Sequence, residues 1–290
     1  MNIYEKFINK FEIPLTLRET NAVFDNIKED GGFLDSKLVQ SVYMPVYYTD
    51  GGSGRAFSYP YDMEGYYELI KEILKYKEIV ITYPEGKEEV IEKYYKMGVK
   101  SFMVSKWKEE YKELKNKYSD LYICRSIVGN AYEYDNYDER FDAIVVPYKD
   151  MLDIEKIKEV SKKVDLVVIA NHFCKPNCKN LDNHCYYHMK SENLKSNNTP
   201  YVCPEGKDSF IPREVLYELL PYIKTVKMIG RTLDVIHYEN YINYYVFGEP
   251  IMQRDKYDYM NLTTINKYNF SNMKNMNCRF ECDKCNKKCY

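Results

Sequence analysis

Eight of the nine cysteines in this chain fall into two groups, and the groups set the chemistry to be explained. The first is Asn171-His172-Phe173-Cys174-Lys175-Pro176-Asn177-Cys178, followed by Cys185 and Cys203. Sets of four thiolates are the donor chemistry of tetrahedral zinc and of iron–sulfur clusters. Zinc fingers and ribbons bring their ligands in as tight pairs, and only Cys174 and Cys178 keep that habit here. The loose spacing of Cys185 and Cys203 favours a [4Fe–4S] cluster over zinc. Free cysteines are often buried in cores, but a polar stretch with few apolar neighbours is a poor place for four of them. His184 and His188 flank Cys185 at i, i+4 spacing, so a mixed Cys/His zinc site stays open, as does simple hydrogen bonding of these rings to loop backbone.

The second group is Cys278-x3-Cys282-x2-Cys285-x3-Cys289. Its first three members match the bare radical-SAM spacing, and the context rejects that reading. Such a motif follows the first strand of its barrel and leaves one iron open. Here the motif lies in a C-terminal tail, Lys284 stands where an aromatic is usual, and Cys289 can close the site. A second cluster or a structural zinc remains. Cys124, inside an apolar run, reads as core.

Candidate anion sites accompany the thiols. Asp50-Gly51-Gly52-Ser53-Gly54-Arg55 follows an apolar run; its glycines let backbone N–H groups approach an anion, and Arg55 can clamp a carboxylate or phosphate. The bland alternative is a flexible connecting loop. Lys227-Met228-Ile229-Gly230-Arg231 has cations at both ends, and Arg231 is expected at the same mouth as Arg55, with Arg125, Lys149, Asn171 and His172 near other strand ends. No Ser-His-Asp order, paired catalytic carboxylates or His-Glu-x-x-His motif appears, so hydrolysis by those routes has no residue-level support.

The elements that must position these residues alternate. Apolar, β-rich runs cover Leu38–Val46, Ile79–Tyr83, Ser101–Ser105, Leu121–Val128, Ala143–Pro147, Leu166–Ala170 and Thr225–Ile229. Amphipathic patterns lie between them, at Met63–Tyr76, Lys87–Met97, Lys106–Tyr118, Ile154–Lys163, Pro212–Tyr222 and Leu233–Phe247. Strands apolar throughout, each followed by a helix, predict a parallel sheet covered on both faces. The expected fold is α/β, a TIM-type (β/α)8 barrel with one unit irregular or hidden in the first 35 residues. A doubly wound open sheet is the alternative. The barrel domain is expected over 1–251 with a Cys-rich insert at 171–209, and 252–290 as a Cys-rich C-terminal tail.

Bulk composition narrows the setting. Of 290 residues, 42 Lys and Arg balance 44 Asp and Glu, for a formal net charge of −2. That excludes a chain that coats nucleic acid through its overall field and leaves room for a local basic patch. No run of 18 apolar residues exists and the charged N-terminal stretch lacks a secretory h-region, so no membrane partner and a cytoplasmic location are expected. Cytoplasmic thiols stay reduced, which favours metal ligation over disulfides. The 32 tyrosines, beside abundant Lys and Asn, read as coding bias.

Three stretches give the chain a family likeness. They are Gly52-Ser53-Gly54-Arg55, the strand entering Asn171-His172-Phe173-Cys174 with its downstream cysteines, and Ile211-Pro212-Arg213 through Lys227-Met228-Ile229-Gly230-Arg231. In order and spacing over roughly residues 35–250 the chain resembles the U32 peptidase-like family, long labelled collagenase-like peptidases. The spacing of Cys178, Cys185 and Cys203 is similar to that of three cluster ligands in members acting in ubiquinone synthesis. The resemblance implies a β/α barrel, a [4Fe–4S] cluster held by four cysteines, and oxygen-independent hydroxylation of an aromatic ring or an RNA base. It departs from the better-known members, which place a Glu and a His-Gly pair before the first cysteine and, in the RNA-modifying branch, carry long C-terminal domains. The expected partners are a small anionic substrate or oxygen donor and a partner protein subunit. The competing functions are a peptidase, as the historical label suggests, and a non-catalytic, metal-stabilised partner subunit.

Overall fold

Apolar runs without polar alternation can be buried on both faces only inside a sheet wrapped by helices. The computed structural model describes residues 2–15, 36–50, 62–83, 85–127, 137–147, 150–151, 153–172, 209–211, 213–229 and 235–248. In it the runs become β2 (Val39–Pro45), β3 (Glu78–Thr82), β4 (Ser101–Val104), β5 (Tyr122–Arg125), β6 (Ala143–Val145), β7 (Asp165–Ile169) and β10 (Thr225–Lys227). The unit expected in the first 35 residues is β1 (Phe11–Pro14), which pairs with β10 on one side and β2 on the other. These eight parallel strands close in the order β1-β10-β7-β6-β5-β4-β3-β2, so the open-sheet alternative is set aside.

The helices are α1 (Ile3–Lys6), α2 (Met63–Ile73), α3 (Glu88–Lys96), α4 (Glu110–Lys117), α5 (Ile154–Val160), α6 (Arg213–Leu219) and α7 (Val235–Phe247). Their starts follow from local chemistry. The Asp62 carboxylate accepts from Gly65 N at 2.8 Å and Asp153 from Lys156 N at 3.1 Å, each satisfying a donor that the first helical turn leaves free. In α3, Glu88 and Glu89 sit in the first turn and Lys93 and Lys96 in the last, matching the helix dipole. α2 buries Tyr66, Leu69, Ile70 and Ile73, the stripe that faces the barrel.

One pair of strands lies outside the barrel wall. β8 (Asn171–His172) and β9 (Ser209–Phe210) form an antiparallel ladder with Asn171 opposite Phe210 and His172 opposite Ser209. The insert between them therefore leaves and rejoins the fold at one point, directly beyond the C-terminal end of β7. Among the described residues, no helix is long and apolar enough to cross a membrane. The tail at 252–290 lies outside the described residues.

Candidate functional site

Parallel barrels gather chemistry at the C-terminal ends of their strands, and strand order decides which ends are neighbours. The Gly51–Arg55 stretch follows β2, the cysteine insert follows β7 through β8, and Gly230-Arg231 follows β10. In the closed order these strands run β7-β10-β1-β2, so all three stretches depart from one contiguous sector of the mouth. Strand ends far apart in sequence are brought into one arc by the barrel alone.

Asn171 fixes the β7–β10 side of that sector. It is fully buried; its Nδ2 donates to Ile229 O at 2.8 Å and its Oδ1 accepts from Ile229 N at 2.7 Å. The side chain thus completes, with an amide, the β-ladder that backbone pairing leaves unfinished between the ends of β7 and β10. One residue beyond each partner the chain enters His172 and Gly230.

Asp50 does the corresponding work at the end of β2. Its carboxylate accepts from the Tyr67 hydroxyl at 2.8 Å and the Tyr94 hydroxyl at 3.0 Å, and pairs with Lys93 Nζ at 2.6 Å. The Tyr94 hydroxyl also accepts from Tyr47 N at 2.7 Å. Burial, with Asp50 close by, pushes the Tyr94 hydroxyl well above the ordinary tyrosine range, so it stays a donor. The residue immediately before the glycine-rich stretch is therefore rigidly held.

Tyrosines recur in this role. Tyr66 donates to Pro45 O, Tyr111 to Gly86 O at 2.8 Å, and Tyr245 to Ile211 O at 2.8 Å, with Ala170 O 3.1 Å away. Each ring fills core space while its hydroxyl satisfies a carbonyl in a loop at the C-terminal mouth, a combination that Phe or Leu cannot supply. The tyrosine excess, read from composition as coding bias, has this structural use. Tyr245→Phe should cost about 1–3 kcal/mol, because the buried Ile211 carbonyl loses that donor. A fall in the urea midpoint with an unchanged m-value would report it; an unmoved midpoint would mean that the carbonyl is satisfied elsewhere.

Beneath the same sector lies a buried ion pair that the sequence reading did not single out. Glu12 on β1 and Lys227 on β10 face each other across the register and are 3% and 4% exposed. Ser41 Oγ donates to Glu12 at 3.4 Å, and Lys227 Nζ sits 3.3 Å from the centroid of the Tyr43 ring. Lys227 was noted as a strand-end cation. The signal for Glu12 was a lone carboxylate between Phe11 and Ile13, where a charge in an apolar run demands a buried partner. Cys124, read as core, is a buried free thiol, and burial followed by the Glu12 carboxylate pushes its pKa well up. It is therefore an inert core thiol.

The remaining candidates lie outside the described residues: Arg55, Arg231, the first set Cys174, Cys178, Cys185 and Cys203, and the second set Cys278, Cys282, Cys285 and Cys289. Of His172 only the backbone is described. Among the described residues, no group of three or more His, Cys, Asp or Glu side chains converges to hold a metal ion. Compared with family models and with curated proteins, the sequence matches none.

Proposed function

We propose that this chain is an iron–sulfur barrel protein of the U32 peptidase-like type, a redox enzyme for oxygen-independent hydroxylation of an anionic substrate. Cys174, Cys178, Cys185 and Cys203 are its [4Fe–4S] ligands, and Cys278, Cys282, Cys285 and Cys289 hold a second cluster or a zinc. The observation that carries the reading is the shared sector: the cysteine insert and both arginine-bearing stretches leave the barrel from β7, β10 and β2, which β1 joins into one arc. The donor set agrees, since four thiolates without a carboxylate are soft ligands suited to iron–sulfur or zinc. A bound cluster would supply one-electron redox chemistry. Asn171 and Asp50 would keep the substrate side of the site rigid through the bonds described above. Arg55 and Arg231 would each offer a planar fork to a carboxylate or phosphate, and His172 a hydrogen bond at the edge of the insert. Reduced thiols go with a cytoplasmic setting.

Anaerobic purification with iron, sulfide and zinc measured per chain tests the metal reading, and four irons with four sulfides per first site are expected. Full zinc occupancy without iron would defeat it. Proteolysis of a model substrate, lost with one residue, would establish the peptidase instead. For the anion site, Arg231→Ala should weaken an anionic ligand by about 10- to 150-fold, the worth of one charge-assisted hydrogen bond, with metal content unchanged. Loss of stability without loss of ligand affinity would instead mark Arg231 as the partner of a structural carboxylate such as Asp234 or Glu239.

A further inference from the structure

We propose a second small-molecule site at the N-terminal end of the barrel, opposite the cysteine insert, that takes a small hydroxylated primary amine. Barrel interiors are ordinarily filled by layers of bulky branched side chains. Here the wall residues where β2, β4 and β10 begin are small and polar, Ser41, Ser101 and Thr225, and a cavity of 360 Å³ remains. That is within the range of about 300–1,000 Å³ typical of small-molecule sites. It runs from a rim at Glu78 and Lys100 to mid-barrel, where Glu12 and Cys124 close it.

Charge chooses the ligand class. Lys100 is paired with Asp120 at 3.3 Å, Lys224 with Asp165 at 2.9 Å, and Glu12 with Lys227. Glu78, on the exposed rim, forms no ion pair among the described residues, so it is the carboxylate of the lining that is open to a ligand ammonium. A carboxylate offers about four lone-pair positions. Lys227 and Ser41 engage Glu12 from two of them, which leaves buried acceptor capacity at the closed end. The Ser101 hydroxyl has no partner among the described residues either. An ammonium at Glu78 with hydroxyls toward Ser101 and Glu12 meets each of these groups, and Val80, Met103 and Val167 give its carbon skeleton an apolar wall.

The site does not depend on the metal reading, so the whole chain can be tested as purified. Calorimetric titration with ethanolamine, 2-amino-1,3-propanediol and D-glucosamine should show saturable, one-to-one binding for at least one amine. D-glucose and gluconate should bind measurably more weakly. Glu78→Gln, at an exposed position that the fold tolerates, should lower the amine's affinity by up to about fivefold, the worth of a solvent-exposed ion pair, and Ser101→Leu, which intrudes on the cavity, should weaken binding further. No heat with any of the three amines, equal affinity for glucosamine and glucose, or undiminished binding in Glu78→Gln would each overturn the proposal.

Discussion

Lys227→Met is expected to lower stability by about 3–5 kcal/mol, the penalty for leaving a buried charge without its partner. Glu12 would keep only the Ser41 hydroxyl as a partner in a position 3% exposed. For a chain of this size each kcal/mol shifts the melting temperature by roughly 2–4 °C, so a loss of roughly 6–20 °C should follow. The pair itself is not expected to be strongly stabilising. Desolvating two ions offsets most of their attraction, so Glu12→Met with Lys227→Met should recover most of the loss or exceed the parent. Melting curves of both singles and the double decide the matter. If Lys227→Met melts with the parent, the pair is hydrated and the buried description is wrong. If the double is as damaged as the single, packing against Tyr43, not charge, is what Lys227 supplies.

The reason a closed barrel retains such a pair is not stability, and its place in the fold suggests registration. Glu12 and Lys227 join β1 to β10, the seam where the chain's first and last barrel strands meet. A one-residue slip of β1 there would turn Glu12 outward into the helix layer and leave Lys227 buried without its partner, whereas a slip between purely apolar strands carries a smaller penalty. The Asn171 amide does comparable work one strand over, tying the ends of β7 and β10 at Ile229. Both devices sit in the arc that carries the three candidate stretches.

The alternation of apolar runs with amphipathic segments was enough to read seven strands, six helices and barrel closure, because each of those elements buries a whole face. β1 was hidden by its own composition: Glu12 and Pro14 interrupt a four-residue strand, and only its neighbours β10 and β2 explain why a carboxylate can stand there. The Asn171 clamp was equally illegible, since an amide that bonds one backbone unit 58 residues away leaves no periodic trace. Asn171 was picked out as a strand-end polar group, and its position bears out the strand end. The tyrosine hydroxyls went unread because composition records how many there are and not which carbonyl each meets. The cysteine sets lie outside the described residues, and spacing gives the number and type of candidate donors without their geometry.

On the proposed reading, Cys178→Ala is expected to disrupt the first metal centre. Removing one of four terminal thiolates leaves one iron of the cluster without a protein ligand and labile, so iron at this site should fall well below four per chain. Cys178 is also the second member of the one tight pair in the set, four residues after Cys174, and so the ligand whose loss leaves the others most widely spaced. The barrel should survive: β7 and β10 are held by their own ladder and by Asn171, and the insert rejoins the fold through the β8–β9 pair independently of the thiols. Anaerobically prepared variant should therefore be paler than the parent, keep the parent's far-ultraviolet circular dichroism, and lose thermal stability only as far as metal binding had added to it. Deleting residues 270–290 separates the two sets, since it should lower total metal while the absorbance that depends on Cys178 persists. If Cys178→Ala keeps four irons per chain while the tail deletion loses them, the cluster belongs to Cys278, Cys282, Cys285 and Cys289, and the barrel mouth is not its site. If neither change alters the metal content, the cysteines of this protein are not its metal ligands.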